Sequence, residues 1–238
     1  MKPVRMLPAL ALALALALPL VGGDSNLPLA EILQRMDAHE QAVSRSLAGY
    51  TCMRRYTLEN LRFHKKAELN VRMTYSSPGH KKFEVLSEHG PAVIRQRVLL
   101  PMLTAEEEAG RDEIRPLTRM VLANYDFQLM GSEVVEGRKA YRLQLTPKTR
   151  NKFLIRGQVW VDAENFGTVR VDAIPAQNPS LFIHNTHVVQ QSTRFGDFWL
   201  PQFNRSNTDS FLFGRTEVTI DSWDYKISSP AGDKLLWD

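Results

Sequence analysis

The stretch Ala67-Glu68-Leu69-Asn70-Val71-Arg72-Met73-Thr74-Tyr75 decides how this chain reads. Ala67, Leu69, Val71, Met73 and Tyr75 fall on one parity, and Glu68, Asn70, Arg72 and Thr74 on the other. Successive side chains of a strand point to opposite faces, so the segment is predicted to be a β-strand with one dry and one wet face. The same period returns in Tyr141, Leu143 and Leu145 against Arg142, Gln144 and Thr146, and in Val169, Val171 and Ala173 against Thr168, Arg170 and Asp172. Further strand-like segments run over residues 50–63, 81–87 and 92–100. A pair over 152–162 and 168–174 is joined through Asn165 and Gly167. Gly196-Asp197 between Phe195 and Phe198 suits a two-residue type II′ hairpin. Strands are then expected to about Asn207 and, past a turn near Gly214, from Arg215 to Lys226. Val218 and Ile220 are out of phase with Trp223 and Tyr225, which predicts a bulge near Asp221 and Ser222.

Two segments carry the helical period instead. From Leu29 to Leu47 the residues Leu29, Ile32, Leu33, Met36, Val43 and Leu47 form one stripe, with Pro28 near the first turn and Gly49 just past the end. Gln34, Arg35, Asp37 and Gln41 are left for water. Thr104 followed by Glu107 has capping-box spacing, which makes the acids 106–108 a solvated first turn. Ile114, Leu117, Val121 and Leu122 then form a second stripe, opening near Pro116.

The chain has 238 residues, 43% of them apolar, and one cysteine, a composition that fits neither a disordered segment nor a disulfide-stapled mini-protein. Cys52 is expected to be a small buried or half-buried strand residue. Lys2 and Arg5, an apolar run from Met6 to Val21, and Gly22-Gly23 before Asp24 read as a cleaved secretory signal peptide over residues 1–23. Without it 28 Lys and Arg stand against 26 Asp and Glu, a surplus that gives no electrostatic reason to expect nucleic acid. One domain is expected over residues 24–228, followed by a tail over 229–238.

The predicted fold class is mainly β (α+β): an unclosed antiparallel β-barrel, a curled meander covered by the N-terminal helix and one or two short inserted helices. About nine or ten strands at ~4.8 Å spacing make a sheet more than 40 Å wide, whereas a helix is only ~10–12 Å wide. A residual apolar hollow is one outcome of that mismatch; closure by packing is the other.

Gly131, Gly137-Arg138-Lys139-Ala140-Tyr141, Pro147-Lys148, Gly157-Gln158-Val159-Trp160-Val161-Asp162 and Val169-Arg170-Val171, behind a leader and an amphipathic helix, together resemble the periplasmic outer-membrane lipoprotein-sorting proteins of the LolA/LolB type. The resemblance implies helices serving as a lid, an apolar cavity for acyl chains, and no catalysis. Asn124-Tyr125-Asp126-Phe127 and Asn178-Pro179-Ser180 resemble features of a subfamily without chemistry of their own. The resemblance transfers no ligand-contacting residue. Alternation supplies the candidates: Leu69, Val71, Met73, Phe83, Tyr141, Leu143, Leu145, Val159, Val161, Val169 and Val171 on the sheet, with Met36, Leu117 and Val121 from the helices. As a set they mark the buried face, and for each of them plain core packing is the competing role.

Catalytic constellations are sparse. His184 and His187 fall on opposite faces of an extended segment, which speaks against a shared metal. His39 beside Glu40 sits at the buried edge of the first helix, and Asp162 reads as a strand-end turn residue. No GxSxG, GxxxxGK[ST] or GxGxxG motif occurs. The aromatics Phe195, Phe198, Trp199, Phe203, Phe211, Phe213, Trp223 and Tyr225 are expected to pack within the sheet, with a partner- or membrane-facing patch as the alternative. The expected function is a monomeric periplasmic carrier or receptor that needs no cofactor or metal. It would bind lipoprotein acyl chains or another envelope lipid and meet inner- or outer-membrane partner proteins. An envelope-stress sensor or scaffold of the same fold, binding a protein partner, is the alternative, and an exported hydrolase a third.

Overall fold

The computed structural model describes residues 27–178, 183–210 and 214–228, and the side chains of 183 and 184 fall outside that description. The expected leader and tail, Pro179, Ser180, Phe211 and Phe213 lie outside the described residues.

Helix α1 (Leu29–Ser46) leads into β1 (Gly49–Asn60), β2 (Lys65–Ser76) and β3 (His80–His89). A helical run follows: an α turn over Ala92–Ile94, a π-helical stretch over Arg95–Leu99, and α2 (Leu100–Ala109). Seven strands follow among the described residues: β4 (Tyr125–Val135), β5 (Arg138–Pro147), β6 (Ile155–Asp162), β7 (Thr168–Pro175), β8 (Ile183–Phe195), β9 (Phe198–Ser210) and β10 (Gly214–Ser228). All ten form one antiparallel sheet in the order β3-β2-β1-β10-β9-β8-β7-β6-β5-β4. The pairing of β1 with β10 is the one non-sequential contact, and the edge strands β3 and β4 do not pair. The sheet is therefore the expected unclosed meander. Alternation chose its faces: Ala67, Leu69, Val71 and Met73 are all essentially inaccessible, while their even-numbered neighbours are not. Gly196 takes φ +59° in the β8–β9 turn, the first central position of a type II′ hairpin.

Four expectations are corrected. Residues 92–100 are helical, not a strand. Their β-branched composition reads as strand, yet Leu99 and Leu103 fall on one side of the run and bury against Tyr56, Leu69 and Val218, so tertiary packing overrides propensity. Thr104 consequently lies inside α2, where its hydroxyl reaches back to the carbonyl of Leu100 at 3.5 Å instead of capping a first turn. The stripe at 114–122 yields only a 3₁₀ turn over Arg115–Leu117, and Leu117 and Leu122 are exposed. The bulge in β10 falls at Asp224, where φ is +53° and the register against β1 slips between Lys226 and Trp223. Strand β4 carries no unbroken alternation, because a register shift between Leu129 and Gly131 interrupts it.

Three apolar clusters fill the curl. One gathers Ile32 of α1 with Tyr141, Leu143, Leu145, Val159, Val161 and Val171. The second gathers Tyr56, Leu69 and Val71 beneath Leu99 and Leu103. The third holds Leu47, Tyr50, Cys52, Met73 and Leu200. Cys52 is buried, as expected.

Candidate functional site

Helix α1 is anchored at two points and bridges the space between them. Near its start Ile32, with Leu29, Leu33 and Met36, packs on the first cluster, and toward its end Val43 and Leu47 pack on the third. Beneath the bridging turns lies a cavity of about 940 Å³. Leu33, Met36, His39 and Val43 form its roof; Phe127, Phe166, Trp199 and Pro201 supply aromatic and apolar wall; Gln190 and Ser192 of β8 add a polar strip. The segment from Arg115 to Ala123 closes one side. It is seated by a close backbone approach in which a Cβ on Gly110 would lie 2.2 Å from the carbonyl oxygen of Gly79. It is also clasped to the roof. Arg119 donates from Nε to Glu40 Oε1 (2.8 Å) and from Nη2 to Glu40 Oε2 (3.0 Å) and Asp37 Oδ1 (3.4 Å). A smaller vestibule of about 300 Å³ adjoins the cavity, lined by Glu40, Gln41, Ser44, Arg45, Arg115 and Arg119.

Part of the cavity wall is ionic. Glu106 accepts hydrogen bonds from Arg54 Nη1 (2.9 Å), Tyr56 Oη (2.7 Å) and Lys81 Nζ (3.0 Å). Arg54 is only 4% exposed and Tyr56 is fully buried. The expected solvated turn at 106–108 is thus corrected at Glu106, which α2 carries inward to meet β1 and β3. Burial acts to raise its pKa, but the charges of Lys81 and Arg54 and the Tyr56 hydroxyl prevail and hold it at about 2. A carboxylate held low stabilises the fold in full above about pH 4.5, and the contribution drains away as pH falls toward 2. About 3 kcal/mol is expected to be lost across that window. Urea midpoints taken between pH 5 and pH 2 check this: the slope should flatten in Glu106→Gln, and an unchanged slope would place the acid sensitivity elsewhere.

Two further titratable groups bear on the site. His39 faces the cavity half-buried, and burial depresses its pKa despite the acids around it. Asp162 is the expected strand-end turn residue: its carboxylate accepts the backbone N–H groups of Glu164 (3.0 Å) and Asn165 (2.9 Å) and the guanidinium of Arg138. Burial opposes its ionisation, but Arg138 and the turn amides bring its pKa below the ordinary range. Among the described residues no group of three His, Cys, Asp or Glu is arranged to hold a metal ion. His187 Nε2 lies 2.7 Å from Asp172 Oδ1, an exposed pair away from the cavity.

Of the residues named from alternation, Met36 and Val121 border the cavity. Leu69, Val71, Met73, Tyr141, Leu143, Leu145, Val159, Val161, Val169 and Val171 are buried in the sheet, and Phe83 is partly buried against two clusters. Leu117 is 43% exposed. Sequence reasoning missed Lys81, Glu106, Arg115 and Arg119, and also Gln190 and Ser192. One signal for the last two exists, since neither parity of β8 reads as apolar.

No family model and no curated protein matches the chain. Among solved structures the chain is similar to a LolA superfamily protein from Nitrosomonas europaea, with 12% identity and a TM-score of 0.47 over 85% of this chain and 94% of that one. A candidate outer membrane lipoprotein-sorting protein domain from Vibrio parahaemolyticus shares 11% identity at a TM-score of 0.42, over 83% and 91%. A DUF1329 family protein from Desulfovibrio piger shares 12% at 0.43, over 85% and 94%.

Proposed function

We propose that the protein is a periplasmic carrier or receptor that shelters acyl chains, of lipoproteins or of another envelope lipid, beneath α1 for outer-membrane sorting. The observation that carries this reading is the cavity of about 940 Å³ between α1 and the curled sheet, which lies toward the upper end of the ~300–1,000 Å³ of small-molecule sites. Each acyl CH₂ taken from water is worth roughly 0.8 kcal/mol, so an apolar hollow gives affinity without directional bonds. Release needs a roof that lifts. Residues of the clasp formed by Arg119 with Glu40 and Asp37 are between 36% and 50% exposed, and ion pairs so exposed contribute about 0–1 kcal/mol. In this reading Met36 and Val121 touch the chain, and the buried sheet residues from Leu69 to Val171 keep the wall behind it rigid. The role is binding and handover, with membrane proteins as the donating and accepting partners. The leader read at residues 1–23 supports export.

Native mass spectrometry of protein purified from its own periplasm is expected to show co-purifying lipid, and delipidated protein to take up a fluorescent fatty acid. Ser192→Phe projects a ring into the cavity from β8 and is expected to weaken that uptake about tenfold or more, with the unfolding midpoint retained. Lipid-free protein that takes up no acyl probe would remove the proposal.

A further inference from the structure

The vestibule differs in chemistry from the cavity it joins. Glu40, Ser44, Arg115 and Arg119 border both spaces, so the charged mouth lies directly beside the apolar cavity. Three guanidinium groups line the mouth, and only one of them is fully matched: Arg119 is held by Glu40 and Asp37. Arg45, in the last turn of α1, has no ionic partner among the described residues. Arg115 reaches only the exposed Asp112, at 4.0 Å, and its Nε is buried without a hydrogen-bond partner. A buried guanidinium N–H left unmatched costs free energy, which an acceptor entering the vestibule would recover. Gln41 spends its amide on Asp37, and the Ser44 hydroxyl borders the same space.

We infer that this mouth takes an anionic phosphate group, and that the phosphate belongs to an amphiphile whose acyl chain lies in the adjoining cavity. The assignment rests on the acyl-binding role proposed above and narrows it to phosphate-bearing lipids. Guanidinium favours this partner because its planar N–H donors match phosphate oxygens in pairs, and charge-assisted bonds of that kind are about twice as strong as neutral ones. Two unmatched guanidinium groups also reject a cationic headgroup by repulsion, so the selectivity has an opposing element as well as an attractive one. Inorganic phosphate offers the same oxygens, and the apolar cavity directly beside the mouth is what favours the lipid.

Calorimetry on the delipidated protein tests this with three probes: lysophosphatidic acid, the monoacylglycerol bearing the same chain, and inorganic phosphate. Lysophosphatidic acid is expected to bind about tenfold or more tighter than the monoacylglycerol, with a preference that shrinks as salt rises. Arg45→Gln, which lines the mouth but not the cavity, is expected to erase most of that preference while leaving monoacylglycerol affinity unchanged, and Arg115→Gln is expected to erase it as well. Arg115 packs against Gly79, so Arg45→Gln, at an exposed position, keeps the test valid if Arg115→Gln fails to fold. Equal affinity for the two amphiphiles would overturn the headgroup assignment and leave acyl binding standing. Binding of neither would remove both. Inorganic phosphate binding as tightly as lysophosphatidic acid would make the mouth a site for free phosphate and overturn the lipid assignment.

Discussion

Replacing Glu106 by glutamine is expected to cost the fold about 3–5 kcal/mol, the loss typical when one partner of a buried ion pair is removed. Most domains have only ~5–15 kcal/mol in total. The cost falls on the partners left behind. Lys81 is 28% exposed and can turn to solvent, but Arg54 is 4% exposed and its Nε already lacks a partner. Guanidinium does not shed its proton, so the positive charge stays buried. Equilibrium urea unfolding measures the change. The triple variant Arg54→Met, Tyr56→Phe, Glu106→Leu is expected to recover most of the loss, because replacing a whole buried polar group by apolar side chains is often neutral or stabilising. A loss below about 1 kcal/mol for Glu106→Gln would mean that water reaches Arg54 through the cavity and keeps it solvated.

Leu143→Ala is expected to cost about 2–5 kcal/mol. Leu143 is completely buried on β5, between β4 and β6, and packs with Ile32, Leu145 and Val159. Strands hold its neighbours on both sides, so the void cannot collapse, and the cost combines lost burial with a residual cavity. Leu122→Ala is the contrast. Leu122 also borders the ligand cavity but is 59% exposed, and its truncation is expected to change stability by no more than about 0.5 kcal/mol. If the two variants lowered the urea midpoint equally, the division between a rigid sheet wall and a yielding rim would be wrong.

These two expectations show how unevenly the sequence exposes the molecule. Leu143 was legible because β5 alternates cleanly with Arg142 and Gln144. Glu106 was not, since an acid beside two others reads as a solvated helix start. Only α2 packing on β1 and β2 brings it within reach of Arg54, fifty-two residues earlier in the chain. Residues 92–100 mislead for a related reason: their β-branched side chains favour a strand locally, and the buried side formed by Leu99 and Leu103 decides otherwise.

Period-2 alternation determined the antiparallel sheet, and the 3.6-residue stripe from Leu29 to Leu47 determined the helix above it, because each records which face of a local segment is denied water. Gly196-Asp197 determined a hairpin because glycine accepts positive φ without a Cβ clash. The cavity was decided by tertiary structure alone. Its boundary is made by α1, the segment after α2 and the β8–β9 hairpin, which are distant from one another in sequence and share no period. The unmatched Arg115 and the satisfied Arg119 are the same residue type four positions apart, and only the folded roof, with Glu40 above one and not the other, tells them apart.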